Sequence, residues 1–367
     1  MHVLYIITGL RIGGAERLLY LTCRELMRRY RVEIDLVYFD PVAPLAPKFR
    51  EIGVRLDRMR PDAAAPARLC GTMLKRKIDL VHTHLIHADL LGRSAGLLLR
   101  AIRPVALVST AHGTEWFRRQ GGPLAAAVRL LDRVMARPGG SRVIAVSRSV
   151  RRILVQRERL RAGDMDLLYN GVEIPSAPAG RQKKGANGLR CLYLGRLSPE
   201  KNVHCLIRAV ALLRESGITC SIVGEGECRD ELQRLSFKLG IGDRVVFSPA
   251  CLEPEPLLHE HDVLVLPSRH EGLGLVVLEA FAAGLPVIGS RIEGIVELLG
   301  KDRGLLFRDD DDNDLAEKLR LVGADSEANA ERVRCAHAYV RDHHSISAYT
   351  EALYNLYREA LTGSRPE

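Results

Sequence analysis

Short β-branched runs alternate with amphipathic stretches along the whole chain. In the first half, the apolar runs Val3–Thr8, Val32–Tyr38, Leu80–His82, Ala106–Thr110 and Val143–Val146 read as strands. Between them, apolar positions at three- and four-residue spacing predict helices, including Ala15–Arg29 and Ala88–Leu99. The second half repeats the alternation. Strands are predicted at Cys191–Gly195, Thr219–Val223, Arg244–Phe247, Val263–Leu266 and Val287–Gly289, and helices at Val203–Ser216, Glu227–Leu239, Gly274–Ala283 and Leu315–Val322. Such alternation predicts an α/β protein, because parallel strands need a crossover between them. Each half opens alike, with a strand, a glycine, a loop carrying a basic residue and a helix. The pattern therefore predicts two doubly wound, Rossmann-like domains facing a central cleft, where ligands collect at the carboxyl ends of strands.

Between the halves, residues 173–189 are rich in Pro, Ala, Gly, Gln and Lys, a composition that builds no core. The expected organisation is a first domain over 1–175, a linker over 176–189, a second domain over 190–345 and a final helical segment over 346–367. Tyr349, Leu353, Leu356, Tyr357 and Ala360 give that last segment an apolar stripe.

Composition narrows the class. The chain has 367 residues, 47% hydrophobic and 27% charged, which predicts a globular two-domain protein and excludes a disordered one. The most apolar stretch, Leu90 to Val108, is cut by Arg93, Arg100 and Arg103, so no membrane span of ~20 residues is expected. Val3–Leu10 lacks a basic leader and runs into Arg11-Ile12-Gly13-Gly14, so it reads as a strand and not an export signal. A cytoplasmic setting follows as the expectation. The eight cysteines form no C-x-x-C pair and read mostly as buried free thiols.

Charge adds a partner. Residues 1–180 carry 30 Lys and Arg against 16 Asp and Glu, while residues 181–367 carry 24 against 29. The first half thus calls for an anionic partner. With 5% aromatics and no base-stacking platform, an anionic membrane surface is favoured over nucleic acid. The density peaks between Arg129 and Arg161, where ten arginines face only Asp132 and Glu158, interleaved with Leu130, Leu131, Val134 and Met135.

Three stretches could carry chemistry. Gly9-Leu-Arg-Ile-Gly13-Gly14-Ala15-Glu16 joins a strand to a helix and reads either as a tight turn or as an anion cradle. Gly195-Arg196 through Lys201-Asn202 leaves a strand with two cations suited to a diphosphate, Arg as a fork and Lys as a point charge. Glu271-Gly272-Leu273-Gly274-Leu275 leads into a helix carrying Glu279. Two carboxylates so placed can accept from sugar hydroxyls while glycine N–H groups meet phosphate. His82, His84 and His87 have the look of a metal site, but no acidic or cysteine ligand is near in sequence, so no zinc is expected; His84 could serve an acceptor. Asp164-Met-Asp166 and the run Asp309–Asp312 match D-x-D patterns; the second reads as a capped, solvated loop.

These stretches resemble the retaining glycosyltransferases of family 4, which have the GT-B fold. The resemblance extends through Ala111-His112-Gly113, Tyr169-Asn170-Gly171-Val172, Val223-Gly224-Glu-Gly226 and Gly304-Leu-Leu, and so covers nearly all of the chain. It implies that Gly13, Gly14, Gly195 and Gly224 line the donor and that Arg196 and Lys201 hold its diphosphate. It implies Glu271 on the sugar hydroxyls, Glu279 on the ribose, Gly272 to Leu275 as backbone contacts, and His112 beside donor sugar and acceptor. His112, Glu271, Arg196 and Lys201 are thus the expected catalytic residues. It further implies a final helix that crosses back to the first domain, no metal or other cofactor, and transfer from a nucleotide sugar to a saccharide or lipid-linked acceptor. Leu273 stands where many members carry an aromatic, and Asn202 where glycine is common. A same-fold nucleotide-sugar 2-epimerase, a transferase acting on a soluble acceptor and a non-catalytic scaffold are the competing readings.

Overall fold

The computed structural model describes residues 1–113, 130, 141–175 and 188–363. The chain divides into two compact units, one of Met1–Gly171 with Ile346–Glu367, the other of Val172–Ser345.

The first unit holds a seven-stranded sheet. Its strands are β1 (His2–Ile7), β2 (Glu33–Tyr38), β3 (Arg55–Arg58), β4 (Leu80–His84), β5 (Ala106–Ala111), β6 (Ser141–Ala145) and β7 (Met165–Leu167). They lie in the order β3-β2-β1-β4-β5-β6-β7, every pair parallel. Leu4, Ile6, Val37, Val81, Leu99 and Leu107 build one face of its core. Because helices cover both faces, β1 is buried at consecutive positions and reads as an unbroken apolar run. The two outermost strands, β3 and β7, were not predicted. Arg55-Leu-Asp-Arg58 pairs on one side only, and its charged residues suit an edge that must not pair again.

The second unit holds a six-stranded parallel sheet in the order β10-β9-β8-β11-β12-β13. These strands are β8 (Arg190–Leu194), β9 (Thr219–Val223), β10 (Val245–Ser248), β11 (Val263–Leu266), β12 (Val287–Ser290) and β13 (Leu305–Phe307). Cys191, Tyr193, Leu206, Ile222, Val265, Ile288 and Phe307 anchor the core.

Several boundaries differ from expectation. Val172 N donates to the His344 carbonyl at 2.8 Å, so residues from 172 onward group with the second unit. Leu189, placed by its flanking composition in the linker, is buried in the second core, and its carbonyl accepts from Thr219. Linker residues 176–187 lie outside the described residues. The helix expected over Val203–Ser216 ends at Ala211 and is followed by a 3-10 turn at Arg214–Ser216. Helices at Ala65–Arg76, Arg148–Glu158, Glu293–Leu299 and Ser326–His343 were not predicted. Ser326–His343 buries only Asn329, Ala336 and Val340, too narrow a stripe to announce itself.

The Ile346–Thr362 helix packs within the first unit. Its stripe of Tyr349, Leu353, Leu356 and Tyr357 is buried, and Tyr354 stacks on Tyr30 at 4.1 Å. Arg142 forks onto Asp166 at 2.9 and 3.0 Å and reaches Glu359 on this helix at 2.7 Å.

Candidate active site

In an open parallel sheet, loops diverge where the strand order reverses, leaving a crevice at the carboxyl ends of the two central strands. The reversal in the second sheet lies between β8 and β11, and in the first between β1 and β4. The loop after β8 carries Gly195, Arg196 and Lys201; the loop after β11 carries Glu271, Gly272, Leu273 and Gly274, and then the Leu275–Ala282 helix with Glu279. Gly224 follows the adjacent β9.

Lys201 and Glu271 meet directly. Lys201 Nζ donates to Glu271 Oε1 at 2.5 Å, and Ser268 Oγ donates to the same oxygen at 3.1 Å. Arg196 is exposed and has no ion-pair partner among the described residues. Its backbone is held by the buried Tyr193, whose hydroxyl donates to the Arg196 carbonyl at 2.7 Å. Burial, and then the nearby Glu271 charge, push the Tyr193 phenol well above its ordinary pKa, so it stays a donor. The result is an outward guanidinium and an ammonium–carboxylate pair on adjoining loops. That arrangement suits a ligand with an anionic part and a hydroxyl-bearing part.

The departure at Asn202 has a structural reason. Asn202 sits at φ 50, ψ 39, the left-handed region that glycine and asparagine tolerate best. Its amide also donates to Asp310 Oδ1 at 2.8 Å, which glycine could not do. Arg269 grips Asp310 from the other loop at 2.7 to 3.1 Å, and donates to the Pro199 carbonyl at 3.3 Å. The Arg269 guanidinium holds the Asp310 carboxyl below the usual range. The aspartate run is capped and solvent-facing, as expected, but it is also cross-linked. Asp310 ties the Lys201 loop to the Glu271 loop, Asp312 pairs with Arg208 at 2.5 Å, and Asp311 caps the Asp312–Ala324 helix. Arg269 and the tying role of Asp310 were missed in the sequence, because their partners are distant along the chain; Tyr193, whose partner is three positions away, was missed because it sits in an apolar strand run. Gly294, at the start of the Glu293–Leu299 helix, also shapes the site. A Cβ there would sit 2.5 Å from the Glu271 carbonyl oxygen, so its bareness sets where that loop lies.

In the first unit, Gly13 caps the Gly14–Tyr30 helix with extended backbone. Glu16 stands in the first turn, its carboxylate beside Gly13, in the positive field that an incoming phosphate would use. His112 follows β5 and touches β4: its Nε2 lies 2.8 Å from His84 Nδ1. His82, on the same face of β4, is 2.5 Å from the Tyr357 hydroxyl and 2.7 Å from Thr110 Oγ1, and Tyr357 in turn is 2.7 Å from Tyr5. His87 is exposed. Among the described residues no group of three His, Cys, Asp or Glu could hold a metal ion, and no helix is long and apolar enough to cross a membrane.

Of the basic stretch, Arg129, Leu131, Asp132, Val134 and Met135 lie outside the described residues, while Leu130 is exposed. Arg148, Arg152, Arg157, Arg159 and Arg161, on and just after the Arg148–Glu158 helix, are exposed too; Arg151 is tied to the Ala162 carbonyl.

Comparison with known proteins converges on one family. The family model "Glycosyltransferase Family 4" matches residues 12–174, and "Glycosyl transferases group 1" matches residues 180–338. The glycogen synthase of Mycobacterium tuberculosis is 31% identical over 303 residues, 80% of this chain and 72% of that one. The D-inositol 3-phosphate glycosyltransferase of Thermomonospora curvata is 29% identical over 78% of this chain and 72% of its own. The crystal structure of Anabaena Alr3699/HepE in complex with UDP-glucose superposes with a TM-score of 0.85 at 22% identity, covering 98% of this chain and all of the other. The two parallel sheets with their reversed strand orders are thus those of a GT-B protein, and the chain belongs to the family 4, group 1 glycosyltransferases.

Proposed function

We propose that the chain transfers a hexose or N-acetylhexosamine from a nucleoside diphosphate sugar to an acceptor hydroxyl, with retention at the anomeric carbon. The observation that carries this reading is the Lys201–Glu271 pair, with the exposed Arg196 on the same loop as Lys201, at the strand-order reversal of the second sheet. Arg196 and Lys201 bind the diphosphate and stabilise its charge as it departs. Glu271 accepts hydrogen bonds from the sugar and Glu279 from the ribose. No side chain of the set is placed as a covalent nucleophile. The acceptor oxygen attacks on the face from which the diphosphate leaves, and a phosphate oxygen takes its proton. Because two cations already neutralise the diphosphate, no metal is needed.

The division of labour is measurable by calorimetry with free UDP, GDP and ADP. Glu279→Ala should weaken the diphosphate that binds, whereas Glu271→Ala should leave that binding nearly unchanged and impair transfer. Equal losses in both variants would refute the assignment. Transfer should persist in EDTA, and strict dependence on an added divalent ion would return the aspartate pairs to consideration.

The acceptor is proposed to be lipid-linked, as in envelope polysaccharide or glycolipid assembly, reached from a peripheral position at the inner face of a membrane. The exposed arginines after β6 support this, each contributing on the order of 1 kcal/mol near an anionic surface. Vesicle sedimentation should show binding to anionic but not neutral lipid, weakened by salt and by the joint change of Arg152, Arg157 and Arg159 to Glu. Binding indifferent to lipid charge would point to a soluble acceptor instead.

A further inference from the structure

The transfer just described gives His84 no task, yet the fold takes trouble over it. His84 is the last residue of β4 and is 2% exposed. Leu85, immediately after it, holds φ 73 and ψ 150, a backbone region that is essentially glycine's. Such a conformation is strained and persists only where the surroundings over-determine it. The turn ends the strand at His84 and leaves its ring between His82 and His112, with centroids at 4.4 and 5.1 Å and the Tyr5 ring at 5.7 Å. Tyr5, His82 and His112 are the titratable groups that face it among the described residues. Burial keeps all three imidazoles neutral: His112 is pushed down to about 4, His82 to about 3, and His84 well below its ordinary value.

A neutral imidazole carries one N–H, so the 2.8 Å contact between His84 Nδ1 and His112 Nε2 has two possible directions. If His112 donates, the His84 proton must sit on Nε2, which is buried and has no hydrogen-bond partner among the described residues. That leaves an orphaned N–H, the rarer and costlier kind of unsatisfied group. If His84 donates from Nδ1, the orphan is only a lone pair. His82 does not compete for the contact, since Tyr357 and Thr110 engage both of its nitrogens.

We infer that His84 donates from Nδ1 to His112 Nε2 and so fixes His112 in the tautomer protonated at Nδ1, making His84 a positioning residue for the reaction. His112 then offers a standing N–H to a substrate hydroxyl oxygen and does not act as a base near neutral pH. The inference rests on the reading of His112 as a substrate-facing group; the tautomer itself does not.

Ring nitrogen-15 spectra of the full chain test it, with the His112 signals identified by their loss in His112→Gln. In the native chain His112 should carry its proton on Nδ1. His84→Phe removes the donor while keeping a ring; it should move the proton to Nε2 and lower kcat on the order of tenfold or more, with donor KM little changed. His84→Asn sets an amide N–H where Nδ1 stood and should restore both the tautomer and most of the rate. Protonation of His112 at Nε2 in the native chain overturns the inference, as does a His84→Phe variant with unchanged tautomer. Should His84→Phe fail to fold, the native spectrum and His84→Asn decide. If His112→Gln transfers sugar normally, the reading of His112 falls while the spectra still judge its proton.

Discussion

Lys201→Ala should lower kcat by roughly 10²- to 10³-fold, the usual consequence of deleting one preorganised group that stabilises charge developing in a transition state. Donor affinity should fall much less, because the ground-state diphosphate keeps Arg196. The distinction follows from the geometry. Lys201 is held by the Ser198–Asn202 turn and by its 2.5 Å bond to Glu271, so its ammonium is in place before the leaving group gains charge. Arg196→Ala should act in the same direction, and the double variant should lose more than either. Lys201→Arg is an informative companion. It keeps the charge but swaps a compact ammonium for a planar fork, and so should recover only part of the rate. Single-turnover rates and donor dissociation constants, measured side by side, separate the two effects. A double variant that binds donor and turns over normally would remove both cations from the mechanism.

Gly224→Ala should abolish donor binding and destabilise the second unit by about 2–4 kcal/mol, a shift in Tm on the order of 5–15 °C. A Cβ at Gly224 would fall onto the carbonyl oxygen of Gly195, a backbone atom with nowhere to go. Gly195 N donates to the Val223 carbonyl at 3.1 Å, and Gly224 N to the Ser248 carbonyl at 3.0 Å. Moving the two loops apart breaks one bond or the other. Arg196 follows Gly195 directly, so any displacement moves the guanidinium that should meet the diphosphate. Gly323→Ala is the control: it lies within the Asp312–Ala324 helix with open space around it, and alanine favours a helix by roughly 1 kcal/mol over glycine. Thermal unfolding and calorimetry with the free diphosphate should therefore separate the two substitutions sharply. Equal behaviour would mean that the apposition of Gly195 and Gly224 is not tight in solution.

Much of the architecture was legible in the sequence because parallel strands buried on both faces leave unbroken apolar runs. Thr219–Val223 and Val263–Leu266 fall where they were expected, and β1 is offset by one residue. Arg196, Lys201 and the Glu271 motif were legible for a related reason. A loop at the end of a central strand carries little packing duty, so glycines and charges concentrated there stand out. What stayed hidden was of two kinds. Edge strands such as Arg55–Arg58 and helices with narrow stripes such as Ser326–His343 bury too few residues to impose a period on their sequence.

The sequence by itself determined two parallel α/β halves and the residues at their loop ends, since periodicity and local composition are properties of neighbouring positions. Only the tertiary structure decided how those residues are held. Asp310 looks like one aspartate in a solvated run until Arg269 and Asn202, 41 and 108 positions away, close on it. His82 and His84 look alike along β4. One is satisfied on both nitrogens by Tyr357 and Thr110, and the other, among the described residues, by His112 on one. Hydrogen-bond satisfaction in a buried site depends on partners brought together across the sheet, 28 to 275 positions apart here, and no local pattern along the chain encodes it.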